Sequence, residues 1–334
     1  MRPFPFWLIL MVAAGSACLG RAAPASKPEH VARAQAAVRI VLADARDLRG
    51  TVVTLGERPT VSSIPLPGRS GGDPPVNLAA VGGGVVFYGR DGPYALPGSL
   101  AGPSRRLHRG LYFVPSATPG RVWVAIADPR RPDLRLVRRV VEVTGTGSAV
   151  VSPRHRPPTR NIVAAVRAGL VVETDAGIAI WDPRTGRTLR TLPGSFPAAV
   201  HGNLIAWCAF RCPAMHVTDA ATGADRVIPH IGRHPWEETY GSAISADGRY
   251  LALPIRIGRD QRVALVDLRT GGGRLIAGPR LATVYRPLGW DPARDALYYV
   301  TAGGRLACYR AGARRAVALD AHLPGQFVSI AVLG

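Results

Sequence analysis

The sequence predicts an all-β fold, a β-propeller of seven four-stranded blades, and three observations predict it. One phrase returns along the chain: Ala80-Val81-Gly82-Gly83-Gly84-Val85-Val86 reappears as Ala165-Val166-Arg167-Ala168-Gly169-Leu170-Val171 and as Ala199-Val200-His201-Gly202-Asn203-Leu204-Ile205. Each copy reads as a strand end, a tight turn and an apolar strand, and self-similarity over a few tens of residues marks radially repeated modules. Aligned on that turn, successive first strands end at Val81, Val114, Val166, Val200, Ile244 and Gly289, at intervals of 33, 52, 34, 44 and 45 residues. Those intervals match a four-stranded blade with loops of varying length. The composition agrees: 47% apolar residues are too many for a disordered chain, while 38 glycines and 30 prolines supply the turns that many short strands need.

Each element of the unit has its own signal. After the turn comes a second strand, as in Val85-Val86-Phe87-Tyr88, Leu204-Ile205-Ala206-Trp207 and Leu297-Tyr298-Tyr299-Val300. These runs are continuously hydrophobic, as expected of strands buried on both faces between neighbouring blades. A third strand ends in a polar turn, in Ile180-Trp181-Asp182-Pro183-Arg184-Thr185-Gly186, in Val217-Thr218-Asp219-Ala220-Ala221-Thr222-Gly223 and in Leu265-Val266-Asp267-Leu268-Arg269-Thr270-Gly271. There Asp accepts bonds from the amides after it and Gly takes the positive φ that closes the hairpin. Recurrence at one structural step assigns Asp182, Asp219 and Asp267 to turns rather than to catalysis.

Ser245-Ala246-Asp247-Gly248-Arg249-Tyr250 resembles the Ser-Pro-Asp-Gly turn of TolB-like and WD-repeat propellers, with Ala246 where proline is usual. Trp290-Asp291-Pro292-Ala293-Arg294-Asp295 is a looser copy, and the Asp-x-x-Thr-Gly turns are similar to the same superfamily. The resemblance covers residues 76–334 and implies architecture alone, because such turns specify hairpins and carry no ligand information.

Six full units run from residue 76 to about 320, and the remainder decides the count. Residues 327–333 supply one lone strand, and residues 38–42, 51–55 and 60–66 supply three. Together they make a seventh blade that closes the ring and removes its exposed edges. The alternative is a six-bladed ring with the N-terminal strands packed elsewhere.

The N-terminus reads as an address. Arg2, the apolar run at residues 6–14 and the small residues Gly15-Ser16-Ala17 have the form of a secretory signal over residues 1–17. The run is short for a membrane span. Cys18 follows directly and is the candidate lipidation site, although Gly15 replaces the leucine usual three places before a lipidated cysteine. Lipidation, ordinary cleavage and an uncleaved anchor all stay open. Residues 18–37 read as an Ala/Pro-rich tether and residues 38–334 as the propeller domain. An exported or envelope location follows, and in that setting Cys208 and Cys212, four residues apart, are expected to form a disulfide. Cys308 reads as a small buried side chain.

The formal charge is +20, but Lys27 is the only lysine, and the 41 arginines are scattered over turns. That pattern suits a solvated basic surface and offers no recognition helix or aromatic-plus-basic platform for specific nucleic-acid binding. No nucleophile elbow, phosphate loop or zinc spacing is legible, so neither a cofactor nor a metal is expected. Glu173 and Arg256 are candidates to face the central channel. His201 and His216 read as strand or turn residues. Two insertions rank first as contact sites: residues 144–159 with Arg154, His155 and Arg156, and residues 229–239 with His230, Arg233, His234 and Trp236. The expectation is a monomeric, non-enzymatic binding or scaffold module for a protein or envelope polymer. The alternative is a glycan hydrolase or lyase with acidic residues converging in the channel.

Overall fold

The computed structural model of the chain describes residues 37–44, 49–66, 78–89, 91–128, 137–158, 161–194, 196–209, 212, 214–231, 241–282 and 287–334. Blade 1 holds β1 (Arg39–Asp44), β2 (Arg49–Thr54) and β3 (Thr60–Pro65), and blade 2 holds β4 (Leu78–Val81), β5 (Gly84–Gly89), β6 (Gly92–Leu96) and β7 (Arg105–Arg106). Blade 3 comprises β8 (Tyr112–Pro115), β9 (Arg121–Ala127), β10 (Val137–Thr144) and β11 (Ala149–Val151). Blade 4 comprises β12 (Asn161–Val166), β13 (Gly169–Thr174), β14 (Gly177–Trp181) and β15 (Thr188–Leu192). Blade 5 follows with β16 (Phe196–His201), β17 (Leu204–Cys208), β18 (Met215–Asp219) and β19 (Asp225–Ile228). Blade 6 has β20 (Ala243–Ile244), β21 (Tyr250–Ile257), β22 (Asp260–Asp267) and β23 (Gly273–Leu275). Blade 7 has β24 (Leu288–Asp291), β25 (Ala296–Val300), β26 (Arg305–Arg310) and β27 (Val317–His322), and the chain ends with β28 (Phe327–Leu333).

Every blade is an antiparallel four-stranded sheet, and the sheet order β28-β1-β2-β3 makes β28 the first strand of blade 1. The seven-bladed ring closed by both ends of the chain is therefore the observed one, and the six-bladed alternative falls. The register runs from Arg39 opposite Leu333 to Asp44 opposite Phe327. A side chain reinforces it, for the Gln326 amide donates to Asp44 Oδ2 at 3.0 Å. On its other flank β28 lies against β24, where Gly289 permits the approach: a Cβ there would come within 3.0 Å of Val332 Cγ2 and 3.1 Å of Ile330 Cγ2.

The core is divided among the seams. Seven apolar clusters each join two neighbouring blades, one cluster per junction around the ring. The second strands that read as continuously apolar are the ones buried on both faces, β25 along its whole length and β5 except for Tyr88. The expected turn chemistry is present as well. Asp182 accepts from the Arg184 amide at 2.9 Å, Asp219 from the Ala221 amide at 2.8 Å and Asp267 from the Arg269 amide at 2.9 Å. Gly186, Gly223 and Gly271 close these turns at φ values of 73°, 80° and 77°.

Three arginines depart from the reading of a solvated basic surface. Each sits on the outer strand of one blade and reaches the outer turn of the next. Arg190 of β15 lies against Gly223, Arg226 of β19 donates to the Leu268 carbonyl, and Arg274 of β23 donates to the Ala313 carbonyl at 3.1 Å and to the Tyr309 hydroxyl. Five donors on a planar fork suit such bridging to carbonyl groups better than a lysine ammonium does.

Cys208 ends β17 and is bonded to Cys212 in the connection to β18, with their Cα atoms 4.9 Å apart. Both are buried, and Cys212 holds φ at +48°. Cys308 is buried on β26 as expected.

Removal of residues 325–334 is expected to open the ring, giving soluble aggregates on size exclusion and no cooperative thermal transition; a monomeric truncation with a sharp transition would contradict the closure. Replacing Cys208 and Cys212 by serine should lower stability by only about 2 kcal/mol, since the closed loop is short. Urea unfolding of the oxidised chain and the variant measures the difference.

Candidate functional site

Hairpin connectivity places the turns between the first and second strands, and between the third and fourth, on one rim of the ring. On that rim, at the seam of blades 6 and 7, three turns enclose a cleft of about 540 Å³ lined by Asp247, Arg249, Tyr250, Arg294, Asp295, Arg310, Ala311 and Gly312. Two of these turns are the Ser-Ala-Asp-Gly sequence and its looser copy. The third joins β26 to β27.

The first turn is built around Ser245, which is fully buried. Its hydroxyl donates to Asp247 Oδ1 at 2.6 Å and accepts from the Tyr250 amide at 2.8 Å, while Asp247 Oδ1 also accepts from the Arg249 amide at 3.0 Å. Gly248 takes the positive φ of 72°. The copy differs by one residue: Asp291 Oδ1 accepts from the Ala293 amide at 2.8 Å, and Asp295 occupies the left-handed region at φ +47°. Asp tolerates that region better than most side chains.

These turns fix the arginines of the cleft. Arg249 donates Nε and Nη2 to Asp267 Oδ2 at 3.3 and 3.1 Å, and its guanidinium carbon lies 4.8 Å from the Tyr250 ring centroid. Arg294 Nη1 lies 3.5 Å from Asp291 Oδ2, a buried carboxylate. Tyr250 stacks on Trp290 with ring centroids 6.2 Å apart, and the Trp290 indole donates to the Ala243 carbonyl at 3.1 Å. The aromatic floor is thereby tied to the first strands of both blades.

The acids here are held ionised. Partial burial opposes ionisation of Asp247, but the Ser245 hydroxyl and the Arg249 amide outweigh it and keep its carboxyl below the ordinary 3.8. At Asp267 the same desolvation is outweighed by the Arg269 amide and by Arg249. A proton donor for glycosidic cleavage needs the opposite shift.

The residues expected from the sequence lie elsewhere. Arg154, His155 and Arg156 are exposed in the connection from blade 3 to blade 4. The His155 ring packs over Gly186, in the outer turn of blade 4. The stretch 144–159 is not one insertion, because Ala149–Val151 form β11, the outer strand of blade 3. His230 is exposed after β19, a different seam, while Arg233, His234 and Trp236 lie outside the described residues, as does Cys18. Glu173 and Arg256 sit on β13 and β21, the second strands of their blades, rather than on the innermost strands that wall the channel. His201 contacts the Ala246 carbonyl at 2.8 Å, and His216 stacks on Trp207 while meeting Asp225 at 2.7 Å. Both serve packing within or between blades. Among the described residues no three His, Cys, Asp or Glu side chains form a group that could hold a metal ion.

No protein family profile matches the chain, and no curated protein matches its sequence. Solved structures do match. AztD from Citrobacter koseri is similar at 13% identity and a TM-score of 0.50, over 89% of this chain and 98% of that one. A candidate 6-phosphogluconolactonase from Bacteroides fragilis is similar at 10% identity and a TM-score of 0.52, over 90% and 99% of the two chains. TolB from Acinetobacter baumannii aligns at 15% identity and a TM-score of 0.48, over 89% of this chain and 66% of its own. At such identities the likeness is one of fold. The chain is a seven-bladed β-propeller with the architecture that its resemblance to TolB-like propellers implies.

The turn carboxylates carry a pH signature. Asp182, Asp247 and Asp267 all titrate below their ordinary value of 3.8 in the folded chain. A carboxyl depressed by folding stabilises the fold above its unfolded pKa and loses that contribution as pH falls through the folded one. The thermal midpoint should therefore hold from neutral pH down to about 5 and drop below about 4. Asp247→Asn should shrink that drop.

Proposed function

We propose that this chain is an exported, non-enzymatic β-propeller that serves as a binding or scaffold module for a protein of the cell envelope. The observation that carries the reading is the cleft between blades 6 and 7. Its walls carry three arginines and a tyrosine beside Asp247 and Asp295; arginine and tyrosine are among the side chains that most often anchor protein contacts, and turns of two adjoining blades set them in place. Asp247 in its wall and Asp267, which holds Arg249, are engaged by turn amides and held ionised, which suits them to positioning rather than to proton transfer. The exposed residues Arg154, His155, Arg156 and His230 add contacts at other seams, and Arg233, His234 and Trp236 are further candidates from the sequence. The chain acts as a monomer.

Export is supported by the secretory form of residues 1–17 and by the Cys208–Cys212 bond, since disulfides persist in oxidising compartments. Residues 18–37 then tether the ring, and Cys18 is the point of lipid attachment.

Photo-crosslinking in the native envelope from positions beside Tyr250, His155 and His230 tests the reading, with fractionation of the same cells. One envelope protein should be captured, the chain should pellet with membranes, and Cys18→Ser should release it to the soluble fraction. Recovery of the chain in the cytosol alone would overturn the export. Turnover of an envelope glycan, lost in Glu173→Gln, would assign the chain to the enzymes instead.

A further inference from the structure

We infer that the outer edge of blade 1, strand β3, takes up an extended segment of a partner protein as a fifth strand of that blade. This rests on the reading of the chain as a protein-binding propeller and specifies how the partner is held.

The outer strand of each blade presents a row of backbone N–H and C=O groups to which a foreign strand can pair, and short length, charge and irregularity are the usual protections of such an edge. Six of the seven outer strands have at least one of these protections. β7 is two residues long, both arginine, and β11 and β23 have three residues each. β15 and β27 shift register against their neighbours and carry Arg190 and Asp320. β19 opens on Asp225 and Arg226.

β3 has none of them. It runs for six residues without a charged side chain and pairs with β2 in unbroken register, from Thr54 opposite Thr60 to Arg49 opposite Pro65. Its far side ends the sheet and has no partner strand among the described residues. Every side chain of β3 but Ile64 is exposed, and Val61 is 40% exposed. Pro65, which lacks an N–H, stands at the last position and leaves five consecutive residues able to pair.

A regular row of backbone donors and acceptors is matched by another extended backbone, which makes the ligand a strand. Val61 and Ser63 share the face toward blade 7, and Thr60, Ser62 and Ile64 the face toward blade 2. The incoming segment alternates accordingly, with a β-branched residue beside Val61 and a hydroxyl beside Ser62. A second copy of the chain is the poorer occupant. It would bring another +20 of charge to the same edge. Two rings meeting along about 20 Å of strand also bury less than the roughly 1,200 Å² of a stable dimer.

The probe is a fluorescein-labelled peptide of alternating Val and Thr, titrated into the full chain by anisotropy. Its control is the same peptide N-methylated at every residue, which keeps the side chains and has no N–H. The parent peptide should bind at low and high salt alike, and the methylated one should not. Val61→Lys/Ser62→Lys, which puts one charge on each face of the edge, should weaken binding about tenfold or more. Val227→Lys, on the protected outer strand β19, should change nothing, and all variants should melt as the parent does. If the double variant melts early, Val61→Lys alone decides the point. Equal weakening by Val227→Lys, equal binding of the methylated peptide or no binding at all would overturn the inference. Concentration-dependent dimers that the double variant abolishes would give the edge to a second copy and overturn it too. Capture of an envelope protein from Tyr250, His155 or His230 without peptide binding would reject the inference alone, while failure of both would reject the functional reading beneath it.

Discussion

The pairing of β28 with β1 is the contact on which the rest of the ring depends. A propeller blade has no core of its own, because its apolar faces are covered only by the blades on either side. Blade 1 is completed by β28, and this strand feeds two seams at once. Ala331 and Leu333 join the cluster shared with blade 2, and Phe327 and Val332 the cluster shared with blade 7. Gly289 on one flank and the Asp44 carboxylate at the start of β28 show that the fit is specified by side chains as well as by the ladder. Blades 2 to 7 are each continuous in sequence, so blade 1 alone depends on strands from opposite ends of the chain.

The architecture was legible because hairpins are local. Ser245, Asp247, Gly248, and the Asp and Gly of each Asp-x-x-Thr-Gly turn act on their own neighbours, so their spacing announces the strand ends. The odd strand at residues 327–333 and the three before residue 66 could be summed for the same reason. Contacts between blades leave no such trace. Arg190, Arg226 and Arg274 look like any exposed arginine, and only the fold shows that each meets a turn of the following blade. The one signal was a basic residue three or four positions after each turn glycine. Residues 144–159 misled because β11 has three residues, too few for periodicity to reveal. The cleft was hidden for a related reason: its walls come from turns whose residues looked fully spent on closing hairpins.

That double use makes the cleft instructive. Asp247 closes a turn through one oxygen, and the amide it fixes belongs to Arg249, a cleft arginine. Asp267 closes the next turn through its Oδ1 and holds the Arg249 side chain through its Oδ2. Loop sites usually gain variability at the expense of definition. Here the repeat's own hairpin chemistry supplies the definition, and the seam between blades brings separate turns together.

Ring closure by the two ends also dictates when folding can finish. Asp44 and Gln326 are 282 positions apart in the chain, a span whose closure costs about 5 kcal/mol of chain entropy before a constant term. During synthesis β1, β2 and β3 emerge early and wait beside an unmet edge until β28 leaves the ribosome. Contacts so remote in sequence form slowly, and an open edge in the meantime invites strands from other chains. The nascent protein is thus most vulnerable until β28 arrives, and a chaperone that shields the inner edge of β1 in the meantime would protect the one blade whose strands are not contiguous in sequence.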